Sequence, residues 1–196
     1  KLNKKNVKIE FVDKNFFENY NGNHQGVMIE VNSFKYASLE DLKEAKRLIL
    51  LDKIEDPHNL GAIIRSAESF GFDGVIIPEH RSAKVNPTVY KTSAGAINNI
   101  KIFMVTNLNQ TIETIKKDGF WVYGLAGESK NSLSATNLTG KVAIVVGNEG
   151  DGISRLVRDN CDELIKIPML GKVNSLNASV AAATCMYEVL RQNDFQ

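Results

Sequence analysis

The sequence predicts an α/β domain built on an open, mostly parallel β-sheet with helices on both faces, and three observations carry that prediction. Six short runs are apolar and β-branched without the alternation of a strand that has one wet face, so both faces are expected to be covered. Helix-patterned segments separate these runs, which is the arrangement of βα crossovers. Two of the runs, Val142 to Val146 and Leu164 to Ile167, end in polar loops rich in Gly, Asn and Ser that lead into further helical patterns. Loops at strand ends are where α/β proteins keep their sites.

Taken in order, the elements start with a polar, Asn/Lys-rich stretch from Lys1 to Gly26 with only short apolar pieces, too little to fold as a domain of its own. Residues 1–26 are therefore expected to be an arm, and 27–196 the main domain. Asn23-His24-Gln25-Gly26 supplies turn chemistry before a strand-like Val27 to Val31. Ser38-Leu39-Glu40-Asp41 fits a capping box that opens a short helix to about Lys46. Strands are predicted at Leu48 to Asp52, Gly74 to Ile77, Ile100 to Val105, Trp121 to Leu125, Val142 to Val146 and Leu164 to Ile167. Helices are predicted at Leu60 to Phe70, Pro87 to Ala94, Leu108 to Lys117, Ile153 to Asn160 and Asn177 to Gln192. In the first of these Leu60, Ile63, Ile64 and Ala67 form a core-facing stripe, Asn59 reads as the N-cap, Gly71 as the stop, and Arg65 points away from the stripe.

Composition bounds the function. The 196 residues are 43% hydrophobic and 24% charged, enough for one full core, and the net charge of +1 lacks the overall basicity that announces nucleic acid. No run is apolar enough to span a bilayer, and Lys4, Lys5 and Lys8 break any signal-peptide core. Cys161 and Cys185 stand without C-x-x-C spacing, which suits a reduced, cytoplasmic setting. His24, His58 and His80 are scattered, so no metal site is legible.

Three stretches invite chemistry, and each also has a plain structural reading. Arg65 reads equally as a solvated helix arginine paired with Glu68. The loop Gly147-Asn148-Glu149-Gly150-Asp151-Gly152 fits neither phosphate-binding glycine pattern, and its acids would repel a pyrophosphate; a tight turn needing positive φ angles explains its glycines, while Glu149 could bind an amine, a hydroxyl or an arginine. Pro168 to Ser179 carries Asn174, Ser175, Asn177 and Ser179 beside Met169 and Leu170: either helix caps, or a loop that wraps a purine and its sugar.

D-P-H-N-L-G-A-I-I-R-S-A-E-S-F-G, V-V-G-N-E-G-D-G-I and I-P-M-L-G-K-V-N-S-L-N-A-S-V-A-A-A resemble, in order, the three motifs of the SpoU/TrmH family of RNA ribose 2′-O-methyltransferases. The resemblance runs from about His24 to Gln192 and includes K-T-S-A-G-A at Lys91 to Ala96. His24-Gln25-Gly26 and Ser93 to Ala96 are most similar to the bacterial branch that methylates a guanosine of large-subunit rRNA. The resemblance implies a C-terminal deep trefoil knot, which the usual rules of chain topology would not propose, a homodimer with a shared active site, and S-adenosyl-L-methionine as cofactor. Asn148 stands where a small residue is usual and Ala178 where a β-branched one is; neither departure removes a functional group.

Carried over by position, the resemblance implies cofactor contacts from Gly147, Ile167 and Leu176, with Leu125, Gly127, Met169 and Ser175 nearby, and a catalytic or RNA-positioning set of Asn59, Arg65, Glu149, Ser175 and Asn177. An Arg65 guanidinium is a demanding proton acceptor, since it stays charged below pH ~12. Phosphate binding and stabilisation of developing alkoxide charge suit it better, with Asn59 and Glu149 orienting it. Arg81, Lys84, Lys91, Arg155, Arg158 and Lys172 are candidates for RNA phosphates, or ordinary surface charge. The N-terminal piece resembles the tail of the small RNA-binding domain of many members. An rRNA substrate is expected, with a tRNA 2′-O-methyltransferase and a noncatalytic RNA-binding or ribosome-assembly protein of the same fold as alternatives.

Overall fold

In a computed structural model the described residues are 8–19, 26–29, 33–173 and 175–194. The chain divides into two compact units, Lys1–Ser33 and Phe34–Gln196. In the first, Lys14–Asn19 is a 3-10 helix in which Phe16 meets Phe17 edge-on. Val27 to Ile29 take no regular structure; Asn23 to Gln25, Glu30, Val31 and Asn174 lie outside the described residues.

The second unit holds a sheet of β1 (Arg47–Asp52), β2 (Gly74–Pro78), β3 (Lys101–Val105), β4 (Trp121–Leu125), β5 (Asn131–Ser132), β6 (Val142–Gly147) and β7 (Glu163–Lys166). Among the described residues every pairing is parallel, and the order is β3-β2-β1-β6-β4-β7-β5. The helices are α1 (Pro57–Ser69), α2 (Pro87–Thr92), α3 (Leu108–Lys117), α4 (Arg155–Asn160) and α5 (Ala178–Asp194). The period-two geometry of β1 sorts them into two layers. Ile49 and Leu51 face a core shared with Leu60, Ile63, Ile64 and Ala67 of α1 and Ala182, Met186 and Val189 of α5. Leu48 and Leu50 face a second core with Leu108, Ile112 and Ile115 of α3 and Val157 of α4. Both faces of the sheet are therefore dry, as strands without alternation require.

Local signals account for most boundaries. Ser38 caps a 3-10 helix at Leu39–Glu44, shorter and tighter than the expected helix to Lys46. Gly71 ends α1 at φ 70°, where the Phe72 N–H donates back to the Ala67 carbonyl at 2.9 Å. The cap of α1 differs from expectation: Asp56, not Asn59, accepts from the His58 N–H at 2.8 Å, and Pro57 opens the helix. That shift of one turn leaves Asn59 inside the helix with its amide free for other work. The two-residue β5 was not expected, because a pair of polar residues carries no periodicity. At its far end α5 is stapled to the connection before β6: Gln192 donates to the Thr136 carbonyl at 3.0 Å and accepts from the Leu138 N–H at 2.8 Å. No helix among the described residues is long and apolar enough to cross a membrane.

Candidate active site

The strand order makes β6, β4 and β7 neighbours, so the loops leaving their C-terminal ends converge. They enclose a cavity of about 370 Å³. Leu125 to Glu128 form its wall after β4, Gly147 to Ile153 after β6, and Ile167, Met169, Ser175 and Leu176 after β7. Its lining mixes apolar side chains, Leu125, Ile153, Ile167, Met169 and Leu176 among them, with the charged Glu128, Glu149, Asp151, Arg158 and Lys166.

The loop after β6 is shaped from inside and pinned from outside. Asn148 Oδ1 accepts from the N–H groups of Gly150 (3.0 Å) and Asp151 (2.7 Å), and the Asn148 carbonyl accepts from the Gly152 N–H at 3.1 Å. The residue that departs from the family's small side chain thus templates the turn. Closing it brings Gly152, at φ 67°, so near Gly147 that a Cβ there would lie 2.0 Å from the Gly152 carbonyl carbon. Positive φ is therefore needed at Gly152, and close approach at Gly147. The exit is held by Asp52, buried at the end of β1 in register with Gly147, whose carboxylate accepts from the Ser154 N–H at 2.6 Å.

At the edge of this loop three polar side chains meet from three motifs. The Asn59 amide donates to Glu149 Oε1 at 2.5 Å, and the Asn177 amide donates to Asn59 Oδ1 at 3.0 Å and to Glu149 Oε1 at 3.3 Å. Asn59 is buried, so its amide orientation is fixed by these bonds. Asn177 also works as a cap: its Oδ1 accepts from the Ser179 N–H (3.0 Å) and hydroxyl (2.6 Å) at the start of α5. The capping reading of Asn177 holds, and the other end of its amide faces Glu149.

The sequence profile of the SpoU rRNA methylase family matches residues 46–187, from β1 into α5, and so spans all three loops and α1. The chain belongs to the SpoU family. It is 49% identical over 181 residues to a protein of Staphylococcus aureus (strain COL) assigned to the TrmH-family tRNA/rRNA methyltransferases, covering 88% of this chain and 72% of that one. It is 44% identical over 183 residues to a tRNA/rRNA methyltransferase of Synechocystis sp., covering 90% of this chain; it spans about half (48%) of that relative's length. Among solved structures, the SpoU methyltransferase AviRb of Streptomyces viridochromogenes in complex with AdoMet superposes with a TM-score of 0.75 at 26% identity, over 81% of this chain and 65% of that one.

The residues singled out on the strength of the SpoU resemblance fall into three groups. Leu125, Gly127, Gly147, Ile167, Met169, Ser175 and Leu176 all line the cavity. Asn59, Glu149 and Asn177 form the hydrogen-bonded cluster, with Ser175 on the cavity wall two residues before Asn177. Arg65 stands apart: it is exposed on α1, neither Asn59 nor Glu149 contacts it, and no hydrogen bond or ion pair reaches it among the described residues. The expected orientation of Arg65 by Asn59 and Glu149 is not found within one chain. Of the RNA candidates, Arg81, Lys91, Arg155 and Lys172 are exposed, Arg155 lying 3.7 Å from Asp159. Lys84 folds back onto the Pro78 and Glu79 carbonyls, and Arg158 is turned towards the cavity in an ion pair with Glu128, so these two are not open surface charges. Glu128 and Asp52 escaped the sequence reading. Glu128 lies three residues beyond the β4 end, a position that the strand-end rule could have flagged; Asp52 looked like the last residue of a strand.

Proposed function

We propose that this chain is an S-adenosylmethionine-dependent RNA methyltransferase that methylates a ribose 2′-hydroxyl, with a guanosine of ribosomal RNA as the target. The observation that carries the reading is the Asn59–Glu149–Asn177 cluster on the edge of a cavity formed by Gly147, Ile167 and Leu176. The cavity suits the cofactor: about 370 Å³ is within the range of small-molecule sites, its apolar side chains can take a purine, and backbone groups of three strand ends can hydrogen-bond its edges. When bound, S-adenosylmethionine supplies a methyl group on a positively charged sulfur, so the protein chiefly has to bring an oxygen nucleophile into line and ease loss of its proton.

The chain's own groups divide this work. Ile167, Met169 and Leu176 hold the base by apolar contact and keep water from it. Glu149, oriented by two amides, presents a carboxylate with fixed direction to the incoming nucleotide. Arg65, without a partner among the described residues, serves a neighbouring subunit: in a homodimer its guanidinium would bind the target phosphate and stabilise charge developing on the 2′-oxygen. The exposed Arg81, Lys91, Arg155 and Lys172 would position the backbone. A C-terminal trefoil knot and a cytoplasmic setting belong to the same proposal.

Purified protein with methyl-labelled S-adenosylmethionine is expected to label ribosomal RNA, and nuclease digestion to release the label as 2′-O-methylguanosine. Label confined to transfer RNA would move the substrate to the alternative reading. Calorimetric binding of S-adenosylmethionine with no transfer to any RNA would favour the noncatalytic one.

A further inference from the structure

The cavity receives residues from both faces of the sheet, and its lining holds a second polar device. Glu128, just past β4, pairs through Oε1 with Nη1 of Arg158 on α4. Both residues line the cavity, and Glu128 keeps 57% of its side chain exposed there. The pair engages one carboxylate oxygen; among the described residues Oε2 has no hydrogen-bond partner. Nε of Arg158 is buried without a hydrogen-bond partner, a state that native structures rarely tolerate without use. The result is a carboxylate paired with a part-buried guanidinium, with one oxygen committed and the other without a hydrogen-bond partner among the described residues.

The surroundings select the ligand group. A cationic group placed at Glu128 would also meet Arg158, its ion-pair partner, and the repulsion would offset what Glu128 contributes. An anion would be repelled by Glu128 itself. Neutral hydroxyl donors suffer neither penalty, and a carboxylate is an acceptor-only group with room for two of them. Ile167, Met169 and Leu176 of the same lining are apolar side chains suited to a base, so the hydroxyls are those of the sugar attached to that base. We propose that Glu128, oriented by Arg158, is the ribose-reading residue of the pocket, accepting hydrogen bonds from the vicinal hydroxyls of a bound adenosyl group. This rests on reading the cavity as the S-adenosylmethionine site.

Titration calorimetry with three probes tests it. S-adenosylmethionine carries the diol and the amino-acid end, 5′-methylthioadenosine the diol alone, and 5′-methylthio-2′,3′-dideoxyadenosine neither. Glu128→Gln is expected to weaken the first two alike, by about 10- to 100-fold, and leave the third unchanged. Loss for S-adenosylmethionine alone would assign Glu128 to the amino-acid end and overturn the proposal. Equal loss for all three would make Glu128 a structural support, and no loss for any would leave it without a role; either result also overturns it. If the wild-type protein bound none of the probes, the reading of the cavity itself would fall, an outcome distinct from the others.

Discussion

Asn59 shows how much one residue's neighbours change its meaning. In the sequence it stands before an amphipathic run and reads as a cap, but Asp56 takes that role and releases the Asn59 amide to Glu149 and Asn177. Arg65, six positions further, is the complementary case: a helix arginine without a partner among the described residues. If its fork binds the target phosphate and the developing 2′-oxygen charge, Arg65→Lys keeps the charge and loses the geometry. Turnover at saturating RNA is then expected to fall by about 100-fold or more, with the calorimetric affinity for S-adenosylmethionine unchanged. Near-normal turnover in that variant would remove the role assigned to the fork. The triad motifs were legible by resemblance, but their hydrogen bonds were not, since no spacing rule links residues 118 positions apart.

At the level of elements, α1 has to bring Asn59 to the loop while packing against α2, and Gly61 permits it. A Cβ at Gly61 would lie 1.8 Å from Thr92 Oγ1, so the two helices meet where a side chain is missing. Gly61→Ala should gain helix propensity but force α1 and α2 apart, a net destabilisation of about 1–3 kcal/mol measurable by urea denaturation. Stability equal to or above wild type would mean that α2 moves freely and does not fix the position of α1. The helices α1 to α5 and the strands β1 to β4, β6 and β7 were legible because apolar stripes and dry runs repeat. β5 was not, and neither was the role of Asn148, whose turn-templating bonds appear only once the loop closes on Gly152.

For the whole molecule, two dry cores bury groups that resist ionisation. Burial pushes the Tyr123 hydroxyl and the Cys161 and Cys185 thiols up to about 12, with nearby carboxylates adding to the rise. In the unfolded chain thiols ionise near 8.5 and tyrosine near 10. The folded protein therefore holds more protons over the interval from about 8.5 to 12, so the stabilisation is complete below it and is lost as pH rises through it. Calorimetric Tm is expected to be level around neutrality and to fall steadily above about pH 9, with a shallower fall in Cys185→Ala. A Tm constant to pH 11 would contradict this. The same cores bear out the expectation that both faces are covered: β1 turns Leu48 and Leu50 to one side and Ile49 and Leu51 to the other, although its sequence shows no polar alternation.

By itself the sequence determined the α/β class, the strand and helix order, and the three loop motifs, because hydrophobic period, caps and glycines are local quantities. Only the tertiary structure decided that β6 lies between β1 and β4, and with it which strand ends adjoin. That adjacency places Asn59 against Glu149, Glu128 against Arg158 and Asp52 against Ser154. Each pair is joined by a contact between distant segments, whose energy depends on burial and direction and leaves no periodic trace in the chain.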